Sequence, residues 1–390
     1  MSSSRRAVLA CSLSLIAGCS GFRGRPTAET NLAGAWTQVG GNSAHSGHQP
    51  NAEIPNEPNR RWRTDRSARP TAMPLTDRGR VVTATPTGVT RYDTESGEVR
   101  WSVSNEAGTW ATPAVSRGRV HVPQTDAGVE GVTAADATPE LRTYETGEGD
   151  ADWERELRGK WAFAPTATVE TVFVQTDRTA YALDAETGAV DWRYDGLTPP
   201  PRGAFHVRKG VTPAVAGDAV VFPSGESVVA LDRESGERRW QSAVGGVASA
   251  PVYDGDALVV ASLRGLERID PGDGTTLWKR TGTFRNTPAV GDNTVCVTDV
   301  DGMAAYRKSD GERRWSRDFG ETWASPAVLA DTVVGCSTEE TVAVRRGNGE
   351  VHWRRSAGSY SAPAVGEAGL FVTAHSPEFG RERLVAFGPE

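Results

Sequence analysis

The chain has 390 residues, 37% of them hydrophobic, with 43 glycines, 23 prolines and a formal net charge of −7. This composition describes a folded globular protein and leaves no net positive charge for nucleic-acid binding. No stretch is apolar for long enough to cross a bilayer as a helix. Of the 43 basic residues only Lys160, Lys209, Lys279 and Lys308 are lysines, a bias that fits a GC-rich genome and, with the mild acidity, a salt-loving host.

The first residues, MSSSRRAVLACSLSLIAGCS, read as a targeting segment. SRRAVL resembles a twin-arginine export signal, with Val8 where phenylalanine is commoner. Leu15-Ile16-Ala17-Gly18-Cys19 resembles a lipobox, which makes Cys19 the lipidated first residue of the mature protein. Residues 1–18 are therefore expected to be a signal peptide and residues 19–35 a flexible tether. The mature protein is expected on the outer face of the cell membrane. Cys11 would leave with the signal, and Cys296 and Cys336 stand in apolar, strand-like runs where two buried free thiols are expected rather than a disulfide.

From here the chain repeats. Pro74 to Trp101, Pro165 to Trp192, Pro213 to Trp240, Pro251 to Trp278, Pro288 to Trp315 and Pro326 to Trp353 share one offset of 27 residues. Pro113 to Trp153 is the same unit with 13 more residues, and an eighth unit begins at Pro363 but ends without its tryptophan. Trp62 supplies the missing one, since it lies 12 residues before Pro74, the same gap as from Trp101 to Pro113. Within a unit the apolar residues alternate with period two, and four short strands are separated by turn residues such as GD, SGES and ESG. Eight four-stranded units, one of them split between the chain ends, predict an all-β, eight-bladed β-propeller over residues 36–390. The strand around Trp62 would close the last blade and remove an exposed sheet edge. A monomer is expected.

Each unit carries the cassette seen in ALDAETGAVDW, residues 182–192. Its glycine (Gly97, Gly149, Gly188, Gly236, Gly274, Gly311, Gly349) ends a turn that needs positive φ. Asp93, Asp184, Asp232 and Asp270 precede their turns and can accept hydrogen bonds from turn N–H groups, whereas Arg307 and Arg345 occupy that position in two units. Trp62, Trp101, Trp153, Trp192, Trp240, Trp278, Trp315 and Trp353 are expected to dock one blade on the next, with the indole N–H reaching a carbonyl. The pattern, met in full by Ala182, Asp184, Thr187, Gly188 and Trp192, resembles the tryptophan-docking repeat of PQQ-type quinoprotein propellers. Similar repeats occur in the outer-membrane assembly propeller lipoprotein of bacteria. The lead-in WTQVGGNSAHSGHQP resembles that of extracellular PQQ-repeat proteins of haloarchaea.

That resemblance implies two functions. Quinoprotein dehydrogenases of this fold are longer, set a vicinal Cys-Cys disulfide against the quinone, and hold Ca²⁺ with Glu, Asn and Asp beside a catalytic Asp. This chain has no Cys-Cys pair, no HExxH, GxSxG or CxxC motif, and no metal-ligand spacing among its six histidines. His45 and His48 form an HxxH pair in a Gly/Asn/Ser-rich loop, where hydrogen bonding rather than metal binding is expected. The expected function is thus a lipid-anchored, non-catalytic binding or assembly scaffold for a protein partner, with no cofactor. The alternative is a PQQ- and Ca²⁺-dependent dehydrogenase with a reduced site. Sequence irregularities fall in the second-to-third and blade-to-blade connections, which share one face: Gly128 to Pro139, Leu197 to Gly210, and Ser376 to Arg381. Trp110, Trp161, Trp323 and Tyr360, just ahead of the innermost strands, belong to the same face. With Arg202, Phe205, His206 and Arg285 they would rim the central channel, either plugging its mouth and packing against neighbouring blades or forming an aromatic and cationic pocket for a peptide segment or an anionic small molecule.

Overall fold

The computed structural model describes residues 35–52, 54, 58–64, 72–104, 108, 111–125, 138–199, 211–247, 249–374 and 383–389. Alternating apolar residues between turn glycines produce 32 strands, numbered β1 to β32 in chain order, and no helix among these residues. They assemble into eight four-stranded antiparallel sheets. Blade one spans residues 75–104, blade two 114–156, blade three 166–194, blade four 214–243, blade five 252–281, blade six 289–318 and blade seven 327–355. Blade eight combines residues 364–388 with 59–63. The predicted eight-bladed propeller is the fold.

Blade four shows how sequence becomes sheet. Its strands are β14 (Ala214–Ala216), β15 (Ala219–Ser224), β16 (Ser227–Asp232) and β17 (Arg238–Ala243), in that order from the axis outward. The two strands nearest the axis are buried throughout because both faces of the blade are covered by neighbours. The outer strand is exposed except at its tryptophan: Arg238 and Arg239 face solvent and Trp240 is buried. The core lies between blades. Phe173 and Trp192 of blade three, for example, interleave with Val220, Phe222 and Leu231 of blade four.

Closure occurs where the sequence placed it. β1 (Asn59–Arg63) pairs antiparallel with β32 (Arg383–Gly388), setting Trp62 opposite Ala386. One feature of the outer strands is not visible in the repeat pattern. In all eight blades the residue before the docking tryptophan is an extra one, a β-bulge between strands three and four: Arg61, Arg100, Asp152, Asp191, Arg239, Leu277, Arg314 and His352. A bulge turns the next side chain relative to the sheet, and here it aims the indole at the neighbouring blade.

Candidate functional site

The cassettes are joints. Each tryptophan N–H donates to a carbonyl in the third turn of the next blade: Trp62 to Thr94, Trp101 to Thr146, Trp153 to Ala185, Trp192 to Arg233, Trp240 to Pro271, Trp278 to Lys308 and Trp315 to Arg346, at 2.8–3.3 Å. The indole also lies on the cassette glycine of that blade. A Cβ on Gly188 would come within 2.4 Å of the Trp153 ring, so this glycine, at φ +67°, is required twice over. The carboxylates act as expected: Asp184 accepts from the backbone N–H groups of Glu186 and Thr187 and from the Thr187 hydroxyl. Hydrogen bonds from Arg100 and from the Ser96 and Glu95 N–H groups hold the Asp93 carboxyl down at about 2. Where Arg307 and Arg345 replace the acid, Asp310 and Asn348 accept from the N–H groups of Glu312 and Glu350 instead.

Trp353 departs from the set. Blade eight takes its fourth strand from the N-terminus and so has no third turn to offer. The Trp353 Nε1 is buried without a hydrogen-bond partner among the described residues. The Pro58 carbonyl stands in for the missing turn by accepting from Arg355 Nε at 2.9 Å, as the Gly188 carbonyl does from Arg155 Nε.

The axis of the ring is filled by the chain itself. Residues 36–49 run around it and offer one acceptor to the second residue of each inner strand in blades one to seven. The carbonyls of Trp36, Thr37, Ser43, Ala44, Ser46 and Gly47 accept from the N–H groups of Thr76, Val115, Val215, Tyr253, Val290 and Val328 at 2.7–2.8 Å. In blade three the Gln38 side chain takes this part, accepting from Ala167 N–H at 2.8 Å and donating back to its carbonyl at 3.0 Å. Blade eight is reached through Thr76, whose hydroxyl donates to the Val365 carbonyl at 3.1 Å. A segment bending this tightly needs glycine: Gly40, Gly41 and Gly47 have φ of 63°, 84° and 62°. His45 lies fully buried in it, 2.9 Å from the Thr166 hydroxyl. Burial pulls its pKa down to about 3, partly opposed by the Pro251 carbonyl. The HxxH pair is therefore a hydrogen-bonding histidine and its half-buried neighbour, and sequence reasoning missed that the lead-in is an axial plug. The signal was available: three glycines among short polar residues, directly ahead of a ring whose inner strands need partners on the axis.

The loop face is described in part. Trp110, Arg202, Phe205 and His206 lie outside the described residues, as do Cys19 and most of the three irregular segments. Those segments connect β7 (Arg119–Thr125) to β8 (Pro139–Glu145), β13 (Val190–Tyr194) to β14, and β31 (Gly369–Ala374) to β32, connections that share one face in antiparallel blades. Arg285 and Trp323 come together, with the guanidinium 5.7 Å from the indole centroid. Trp161 lies in the connection leading into blade three and Trp323 in that leading into blade seven, while Tyr360, in the connection leading into blade eight, is 44% exposed. The predicted rim residues therefore form one described pair and two separate positions around the mouth.

The remaining reactive groups are inert where they stand. Cys296 and Cys336 are buried and unbridged on blades six and seven, and burial pushes both thiols up to about 12. His121 is buried between the Ser116 and Thr143 hydroxyls at 2.9 Å, and desolvation lowers its pKa to about 3. Among the described residues no three His, Cys, Asp or Glu side chains converge to hold a metal ion.

Solved structures similar to this chain share its architecture. BamB from Moraxella catarrhalis superimposes with a TM-score of 0.69 at 16% identity over 86% of this chain and 98% of its own. The quinohemoprotein alcohol dehydrogenase ADHIIG from Pseudomonas putida HK5 gives 0.67 at 13% identity over 91% and 80%. The computationally designed Ika8 protein gives 0.67 at 13% identity over 82% and 98%. At these identities the likeness is one of fold. No curated protein matches the sequence. A family model described as outer membrane protein assembly factor BamB matches residues 55–140, 132–265 and 226–376, and the chain belongs to that family.

Proposed function

We propose that the protein is a non-catalytic binding or assembly scaffold for a protein partner, held at the outer face of the cell membrane by lipidated Cys19. The observation that carries this reading is the filled axis. Residues 36–49 occupy the centre of the ring and bond to seven of its blades, so what remains for recognition is the faces. The loop face offers Arg285 over Trp323 and a half-exposed Tyr360, residue types that anchor protein interfaces. Membership in a family described by outer-membrane protein assembly supports the same reading.

Photocrosslinking in the native membrane tests it. A crosslinker at Trp323 or Tyr360 should trap a discrete protein adduct, and one at Ser235, in a third turn on the opposite face, should not. Replacing Trp110, Trp161 and Trp323 together with alanine should abolish the adduct formed from Tyr360 while the circular dichroism is retained. Unchanged trapping would end the role of the rim. The dehydrogenase alternative draws support from the quinohemoprotein neighbours. Saturable PQQ binding in the presence of Ca²⁺, with alcohol-dependent dye reduction, would establish it in place of the scaffold. Fatty-acid labelling that survives Cys19→Ser would refute the anchor.

A further inference from the structure

On the hairpin face, opposite the rim, a cavity of about 560 Å³ opens between the axial segment and the first hairpins of blades one, two and three. Its size suits a small organic ligand. Ala35, Thr37 and Gln38 form one side of it, and Arg78, Arg117 and Thr168 belong to the hairpins on the other.

Three observations on this cavity agree. The first is charge. The first hairpins of blades one and two both read RGRV, at residues 78–81 and 117–120. Blade one also carries Asp77 ahead of its RGRV, and the other six blades carry acids and no arginine in this hairpin: Glu170, Asp218, Asp254 with Asp256, Asp292, Asp331 and Glu367. In a chain of net charge −7, the two basic hairpins stand side by side at the cavity.

The second is backbone strain. Arg78 and Arg117 have φ of 45° and 47°, and the only other described non-glycine residue with positive φ is His45. Each is followed by a glycine at about the same sign, Gly79 at 75° and Gly118 at 76°, the geometry of a type I′ hairpin in which Asn, Asp or Gly is the favoured first residue. Blades four and five place Gly217 and Gly255 in their hairpins, at φ 66° and 90°. An arginine held at such a position is retained against its own conformational preference.

The third is which groups remain available. The Gln38 amide is engaged with both backbone groups of Ala167, the Asn42 amide with Ser46, the Ser116 hydroxyl with His121 and the Thr168 hydroxyl with its own turn. Asp77 is flanked by Arg80 at 3.7 Å and Arg78 at 3.9 Å. Arg78 is 72% exposed and, among the described residues, makes only that long ion pair. Arg117 has no ion pair within 4 Å among the described residues; it favours ionisation of Asp184, which is already engaged by Thr187. Among the described residues lining the cavity, the cationic donors without a close ion pair are thus the two guanidinium groups, with the Ser43 hydroxyl beside them, and guanidinium groups suit carboxylate or phosphate.

We infer that this cavity binds a small organic anion, a phosphate- or carboxylate-bearing molecule recognised by Arg78 and Arg117. The same chemistry is offered by a free metabolite and by the headgroup of an anionic lipid, and Ala35, where the described chain begins, lies in the cavity wall. The inference does not depend on the scaffold reading.

Calorimetric titration of the full chain carrying Cys19→Ser with glycerol 1-phosphate and with citrate, and its flotation with phosphatidylglycerol against phosphatidylcholine vesicles, tests it. At least one of these anions should bind saturably, more weakly as salt rises. The substitutions R78G and R117G relieve the positive-φ strain, so the variants should melt at or above the parent temperature and still bind at least tenfold more weakly each. R78K and R117K should recover part of the loss. Binding of the soluble anions alone identifies a free metabolite as the ligand, and binding of phosphatidylglycerol vesicles alone identifies a lipid headgroup. Absence of binding to all of these probes, or binding unchanged in R78G and R117G, would overturn the assignment.

Discussion

The ring is sealed twice, by opposite means. The outer seal is made by the repeat: tryptophan, glycine and a turn carbonyl recur blade after blade, so each joint is a local event between neighbours. The inner seal is a single unrepeated segment that touches seven blades through seven different residues. The first is distributed and the second concentrated, and damage to them should differ accordingly.

The sharpest way to break this contrast is at the axis. A Cβ on Gly47 would lie 2.6 Å from that of Ala289, at a φ of +62°. Gly47→Val should therefore cost upwards of about 4 kcal/mol, by clash and strain together, and displace bonds each worth on the order of 1 kcal/mol. Urea unfolding in which Gly47→Val resembles the parent would refute the central role of the plug. At the periphery, Trp192→Ala should cost about 3–5 kcal/mol in the same measurement. Trp353→Ala should cost roughly 1 kcal/mol less, because its indole N–H has no hydrogen-bond partner among the described residues. Equal losses would mean that the seam is a joint like the others.

Buried histidines in the plug and in the blades also titrate together. His45 in the plug and His121 in blade two have folded pKa values of about 3, below the ordinary 6.5. The unfolded chain then binds more protons between these values, so stability is full above pH 6.5 and lost as pH falls toward 3, at about 1.4 kcal/mol per pH unit for each ring. Thermal melts across that window should show the slope, and His45→Gln should reduce it, leaving the part due to His121 and to His48, whose pKa burial also lowers. The smallest expected effect is at a cassette acid. Asp184→Ala should cost about 1 kcal/mol, since blades six and seven form the same turn without an acid at that position.

What could be read in the sequence follows from what repeats. Blade number, strand number, the Trp62 closure and the role of each cassette glycine were legible because eight copies of one solution expose the constraint they share. The bulge before every tryptophan was not, although two consecutive exposed residues ahead of a buried one, as in Arg238-Arg239-Trp240, break the alternation that a regular strand would keep. The axial role of residues 36–49 was hidden for a different reason. A segment occurring once, whose partners lie on seven different blades, leaves no periodic trace. At the loop face, residue types pointed to a rim, but only the meeting of Arg285 with Trp323 is a described contact, because which loop residues converge depends on backbone paths that composition does not encode. The Arg78 and Arg117 hairpins were overlooked as ordinary turns. Their identity as RGRV pairs matters only once the ring sets blade one beside blade two and the plug behind both.

The seam has a temporal consequence. Strand β1 finds its partner in β32, with Asn59 opposite Gly388, and the plug, which begins on blades one and two, ends on blade seven, where Gln49 N–H donates to the Val328 carbonyl at 2.8 Å. Contacts spanning nearly the whole chain are the slowest to form. A nascent chain can build blades one to seven and seat the plug on them, yet β1 must wait until β32 has been made. Losing β32 would therefore leave β1, more than 300 residues away in sequence, without the strand it pairs with.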